Sequence, residues 1–86
     1  MNYRLSRHAT EEMARRGISV QTVESILDNP QQVVLDATGK RVYQSKVDFH
    51  AGKTYLVRVV INEEGDVPLV VTVYRTSKVE KYWRKS

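Results

Sequence analysis

The spacing of hydrophobic residues changes once along this chain. Between Leu5 and Leu27 they recur every three or four positions. At about 100° per residue, Leu5, Ala9 and Met13 fall on one stripe and Val20, Val23, Ile26 and Leu27 on another, the pattern of two amphipathic helices. The breaks agree with that reading. Ser6 is a good N-cap for a helix over Arg7–Arg16, and Gly17 suits the left-handed residue that ends it. Ser19 caps a second helix from Val20 to about Asp28, which closes at Asn29-Pro30 because a residue before proline avoids the α region. His8, Glu12 and Arg15 line a polar flank of the first helix. Arg16 sits in its last turn close to the apolar stripe, where a long cationic stem can snorkel toward solvent or an anion.

From Gln32 onward the period is that of extended chain. Gln32–Asp36 reads as a short β run, Ala37-Thr38-Gly39-Lys40 as a turn, and Arg41–Phe49 as a strand. Tyr43, Val47 and Phe49 fall on one side of that strand, and Val42, Gln44, Lys46, Asp48 and His50 on the other. Tyr55–Ile61 and Val67–Tyr74 then flank the polar connector Asn62–Asp66, which predicts an antiparallel hairpin at the centre of a sheet. These two runs are apolar at nearly every position, so both of their faces are expected to be at least partly covered. Strict alternation groups Tyr55, Val57, Val59 and Ile61 against Leu56, Arg58 and Val60. In the second strand it groups Val67, Leu69, Val71 and Val73 against Pro68, Val70, Thr72 and Tyr74. One face is apolar; the other carries Arg58, Thr72 and Tyr74. The expected fold is α+β, with two N-terminal helices packed on a four-stranded antiparallel meander and a basic, aromatic C-terminal tail that adds a helical turn.

Composition narrows the function. Eighty-six residues make a single domain over 1–86. The absence of Cys removes disulfides, thiolate metal sites and thiol nucleophiles. No signal-peptide core or membrane-length apolar run is present, so a cytoplasmic protein is expected. Fourteen Lys and Arg against ten Asp and Glu give a formal charge of +4, which favours polyanionic partners. Arg75, Lys78, Lys81, Arg84 and Lys85 surround Tyr74, Tyr82 and Trp83 at the end of the chain. Cations among aromatics suit phosphate contact with base stacking, although a solubilising tail that packs one aromatic has the same composition.

A Gly-rich phosphate loop, a His-Glu metal motif and a nucleophile-elbow serine are all missing, so neither a metal nor another cofactor is expected. Acid/base and cationic groups remain. A metal-independent ribonuclease needs a group to deprotonate the 2′-hydroxyl, an acid for the leaving 5′-oxygen and cations for the phosphorane. The imidazole of His8 is a side chain of the type that serves as acid or base in such chemistry. Its plainer role is a surface partner for Glu12 at i+4, while His50, beside a turn, reads as structural or solvated. Arg15, Arg16, Arg58 and Arg75 can hold phosphate, and Thr72 and Tyr74 can donate hydrogen bonds to it.

His8-Ala9, Met13 and Arg16-Gly17-Ile18-Ser19, followed by a Val-rich helix ending in Asn29-Pro30, resemble the opening of the domain-of-unknown-function family 4258. Val71-Thr72-Val73-Tyr74 resembles that family's terminal strand. The family is grouped with the barnase, EndoU, colicin and RelE-like fold, whose members are mainly metal-independent RNA-cleaving toxins. The resemblance implies a bacterial toxin of a toxin–antitoxin system, with His8, Arg16, Thr72 and Tyr74 as the catalytic set. The strand-face argument adds Arg58 to Arg15, Arg75, Lys78, Lys81 and Trp83 as RNA-binding residues. The family often has Arg immediately before the Met, where this chain has Glu12, a departure that implies a different RNA target, compensation by Arg15 or an inactive relative.

The expected activity is endoribonucleolytic cleavage by 2′-hydroxyl attack, with RNA as substrate and an antitoxin as silencing partner. The alternatives are a module on the same fold that binds nucleic acid without turnover and a toxin that acts on a protein. In the tail, Arg75, Lys78 and Lys81 are expected on RNA phosphates, with Tyr82 or Trp83 either stacking on a base or anchoring the tail.

Overall fold

Both serine caps form. Ser6 Oγ accepts from the Ala9 N–H (2.9 Å) at the start of α1, Arg7–Arg16, and Ser19 Oγ accepts from the Thr22 N–H (3.1 Å) at the start of α2, Val20–Asp28. Gly17 closes α1 in the left-handed region at φ 67°. The structure, a computed structural model, describes residues 1–85, with the side chain of His50 outside the described part. Its strands are β1 (Arg4–Leu5), β2 (Gln32–Leu35), β3 (Arg41–Phe49), β4 (Lys53–Asn62) and β5 (Leu69–Thr76), and a short α3 (Val79–Tyr82) follows.

The fold is α+β, but the sheet is five-stranded and mixed, in the order β1-β5-β4-β3-β2, which corrects the expected four-stranded antiparallel sheet under two helices. β2 to β5 form the antiparallel meander. β1 pairs parallel with β5, Arg4 opposite Leu69 and Leu5 opposite Val70. Arg4 N–H donates to the Pro68 carbonyl (2.9 Å) and Ser6 N–H to the Val70 carbonyl (3.0 Å). Two residues have no alternation to betray a strand. What holds them is the cap itself, because Ser6 Oγ also donates to the Val71 carbonyl (3.1 Å) and so ties the start of α1 to β5.

A second correction concerns the faces of β5. Val60 stands opposite Thr72, but Ile61 stands opposite Val70, so Val71 is an extra residue at a β-bulge. The bulge turns Val70 to the same side as Val73, where strict alternation had put them apart. That side is the main core. Ala9 and Met13 of α1, Val23, Ile26 and Leu27 of α2, and Ile18 between them pack on Val57, Val59, Ile61, Val70 and Val73. Each such side chain contributes about 1.5–3 kcal/mol when fully buried.

The other face is covered too. Val42, Leu56 and Val60 point away from the helices and are buried. The C-terminal segment crosses the same face, where the Tyr82 backbone is bonded to Gln44 and the Arg84 backbone to Gln32. No helix among the described residues is long and apolar enough to cross a membrane.

Candidate functional site

On the face beneath the tail, one line of register crosses four strands. Gln32 of β2 stands opposite Gln44 of β3, Gln44 opposite Arg58 of β4, and Arg58 opposite Tyr74 of β5. Their side chains are bonded in the same order. Gln44 Nε2 donates to Gln32 Oε1 (2.9 Å), Arg58 Nε donates to Gln44 Oε1 (2.8 Å), and Arg58 Nη1 donates to the Tyr74 hydroxyl. The tail closes on this row. Gln44 Nε2 also donates to the Tyr82 carbonyl (3.2 Å), while Gln32 binds the Arg84 backbone twice, Nε2 to its carbonyl (2.6 Å) and Oε1 from its N–H (3.0 Å).

Arg58 is the unusual member. It is 7% exposed and, among the described residues, has no carboxylate partner. The ring of Tyr82 lies against its guanidinium at 4.2 Å and that of Tyr74 at 5.7 Å. Cation–π contact returns about 0.5–2 kcal/mol, whereas removing a guanidinium from water costs several kcal/mol. Among the described residues only two of its five N–H donors have protein partners, which leaves the Nη2 edge to serve an anion. Arg58 borders a cleft lined also by Lys81 and Arg84 and by Val34, Leu35 and Ala37.

Asp36, the carboxylate of that cleft, is already committed. The Thr38 hydroxyl (2.7 Å) and the N–H groups of Lys40 and Thr38 (both 2.9 Å) all donate to its Oδ1 and hold its pKa below the ordinary 3.8. It secures the turn between β2 and β3 and leaves the cations of the cleft unpaired with it.

The residues predicted from the sequence divide between the two sides of the sheet. Tyr74 and Arg58 are joined directly, Thr72 lies on their face two residues before Tyr74, and Lys81 borders the same cleft. Trp83 is half-buried beside them, with Lys46 Nζ 4.1 Å from its ring centre. Lys78 is exposed just before α3. His8, Arg15 and Arg16 belong to α1, in the layer on the far side of the sheet. His8 is exposed and makes no hydrogen bond or ion pair among the described residues. Glu12 does not pair with it. Buried to 6% exposure, Glu12 holds Arg15 through Nη2 and Arg16 through Nε (3.0 Å), so Arg16 finds its anion within its own helix. Arg75 also faces the helix side, its guanidinium 4.4 Å from the Phe49 ring centre and 4.6 Å from that of Tyr55.

Gln32 and Gln44 were not among the predicted site residues, whereas Tyr82, expected either to stack on a base or to anchor the tail, lies against Arg58. Gln44 is one of several polar residues of a mixed strand and offered no signal of its own; its placement opposite Arg58 required the register. Among the described residues no group of three His, Cys, Asp or Glu is placed to hold a metal ion.

Fold and site together define a two-layer α+β domain with a buried arginine that has no carboxylate partner among the described residues, on the sheet face away from its helices. Residues 5–75 match the family described as Domain of unknown function (DUF4258), and the chain belongs to that family. No curated protein and no solved structure matches it.

Proposed function

We propose that this protein is a metal-independent endoribonuclease toxin that binds the scissile phosphate of RNA on Arg58. The observation that carries the reading is the near-burial of Arg58 without a carboxylate partner among the described residues, while Gln44 and Tyr74 fix the plane of its guanidinium. In the cleavage step the RNA 2′-oxygen attacks phosphorus and the bond to the 5′-oxygen breaks. The 2′-hydroxyl gives up its proton and the 5′-oxygen takes one, leaving a 2′,3′-cyclic phosphate and a 5′-hydroxyl. Arg58 opposes the negative charge that builds on the phosphorane. The Tyr74 hydroxyl accepts from Arg58, so its own hydrogen is available to a phosphate oxygen. Lys81 and Arg84 extend the positive lining along the strand of RNA.

His8 has no part in this arrangement, because the sheet stands between its helix and Arg58. That separation favours one second reading, a module that binds RNA on the same face without turnover. The test is incubation of the purified protein with total RNA in EDTA, followed by end-group analysis. Cleavage that leaves cyclic phosphates, survives His8→Ala and is lost in Arg58→Met supports the enzyme. Intact RNA with salt-sensitive retention supports the binding module. Loss of cleavage in His8→Ala with full activity in Arg58→Met overturns the assignment of the site.

A further inference from the structure

β2 is one border of the sheet, and among the described residues no strand lies along its outer side. Its ladder with β3 decides which backbone groups are free. Asp36 N–H donates to the Lys40 carbonyl (2.9 Å), so Asp36, Val34 and Gln32 turn their backbone groups inward to β3, and Val33 and Leu35 present theirs outward. The side chains alternate as well. Val33 and Leu35 stand in register with Tyr43 and Arg41 on the helix side, and Gln32 and Val34 with Gln44 and Val42 on the tail side.

Exposed edges are commonly protected by charge or proline, and Gln32-Val33-Val34-Leu35 has neither. Leu35 is 68% exposed, the most exposed of the large hydrophobic residues. Cations lie beside it. Arg84 borders the groove along Val33, Val34 and Leu35, and with Lys81 it borders the Arg58 cleft on the tail side. Arg41 is occupied by Glu63 at 3.0 Å; Arg84 and Lys81 form no ion pair among the described residues.

We infer that the β2 edge docks an extended segment of another protein in which apolar and acidic residues alternate, added to the sheet as a sixth strand. Its backbone meets the outward N–H and C=O groups of Val33 and Leu35. Its apolar side chains lie on the helix side against Leu35, and its carboxylates on the tail side toward Arg84 and Lys81. Alternation is required because the edge is apolar on one side and cationic on the other. A second copy of β2 would bring no carboxylate and would set Arg84 against Arg84. Nucleic acid supplies neither the row of amides nor the apolar side chains. The inference is independent of RNA cleavage and is tested without RNA.

The probe is a fluorescein-labelled synthetic peptide, Val-Asp-Val-Glu-Leu-Asp-Val, titrated into the full chain by anisotropy, with amide exchange read in parallel. Saturable binding that slows exchange at Val33 and Leu35 is the expected result. A peptide of the same composition with its acids grouped at one end should bind about tenfold more weakly, as should the alternating peptide to Leu35→Lys or Arg84→Glu. The Arg84 substitution leaves the backbone bonds to Gln32 in place. Should either variant fail to fold, N-methylation of alternate peptide amides makes the same test on the unaltered protein and should abolish binding in one of the two phases. Equal affinity for the grouped peptide, unchanged exchange at Val33 and Leu35, or no binding at millimolar peptide each overturns the inference.

Discussion

Replacing Arg58 by Met separates an arginine kept for a ligand from one kept for the fold. The loss of two protein hydrogen bonds leaves Gln44 Oε1, in a side chain with no exposure, without its donor at about 1–3 kcal/mol. Tyr74 is half-buried and its hydroxyl can turn elsewhere at little cost. Against these losses, the several kcal/mol needed to bury the guanidinium disappears and an apolar stem of similar length remains. The melting temperature should therefore move little, within about 8 °C, where 1 kcal/mol corresponds to about 4–8 °C for a domain of this size. RNA binding should respond quite differently. Two charge-assisted bonds from the Nη2 edge, at about 1.5–3 kcal/mol each, are worth at least about 3 kcal/mol, or on the order of 100-fold in Kd. Loss of one phosphate contact should also lower the slope of log K against log salt by about 0.7. The assay is anisotropy of a labelled single-stranded oligonucleotide at several salt concentrations, with a melting curve for each protein. Arg75→Met is the control, since Arg75 stacks on Phe49 and Tyr55 across the sheet. Unchanged affinity and slope in Arg58→Met, or an equal loss in Arg75→Met, refutes the reasoning.

Leu56, fully buried on the tail face, should cost about 2–5 kcal/mol when cut to Ala, measured by urea unfolding. Ala51 sits at φ 71° in the turn before β4, and Ala51→Gly should raise stability by about 0.5–1 kcal/mol in the same experiment. Trp83→Ala should melt several degrees lower without a change in RNA affinity, because Lys46 lies over its ring and the residues on either side are pinned to Gln44 and Gln32; unchanged melting with lost affinity would show that the ring stacks on a base instead. Asp36 has a lowered pKa in the fold, so the stability its charge contributes is present above the ordinary 3.8 and is lost as pH falls through the lower folded value. The difference in melting temperature between the native protein and Asp36→Ala should accordingly hold near neutrality and shrink once the pH drops below 3.8.

What could be read from the residues alone was whatever local periodicity encodes. Ser6, Gly17, Ser19 and Pro30 delimit their helices as expected, and β3 runs from Arg41 to Phe49 as read. The pairing of β1 as a fifth strand was hidden because its evidence is two bonds to residues more than sixty positions away. The bulge at Val71 was hidden because inserting one residue leaves a Val-rich run looking the same while it exchanges the faces of Val70 and Val71. Arg58 and Tyr74 could be placed on one face by counting in twos, since both lie clear of the bulge. Arg75 could not be told from them by charge. Its parity assigns it to the other face, as the register opposite Val57 bears out, but cations at the end of a basic chain invite grouping. Grouping His8 with Thr72 and Tyr74 rested on resemblance, which orders motifs along a chain without saying which side of the sheet each occupies.

The sheet divides the molecule into a side that holds the fold together and a side where polar groups are concentrated. Val57 and Val59 flank Arg58 in the chain, yet they point into the helix-covered core while Arg58 points to the tail. A substitution in the apolar layer therefore has no side-chain contact through which to reorient Arg58 except by displacing β4 itself. On the tail side the reverse holds, because Gln32, Gln44, Arg58, Tyr74 and the Tyr82 and Arg84 backbone share bonds end to end. Side chains joined in this way are expected to couple, whereas residues in opposite layers without a shared partner are expected to add. The amide of Gln44 is the joint of the network: its oxygen takes Arg58 and its nitrogen serves both Gln32 and Tyr82. The tail therefore does more than cross this face of the sheet. It engages the same glutamine that fixes the plane of Arg58, so the position of the tail and the orientation of the Nη2 edge are set by one side chain.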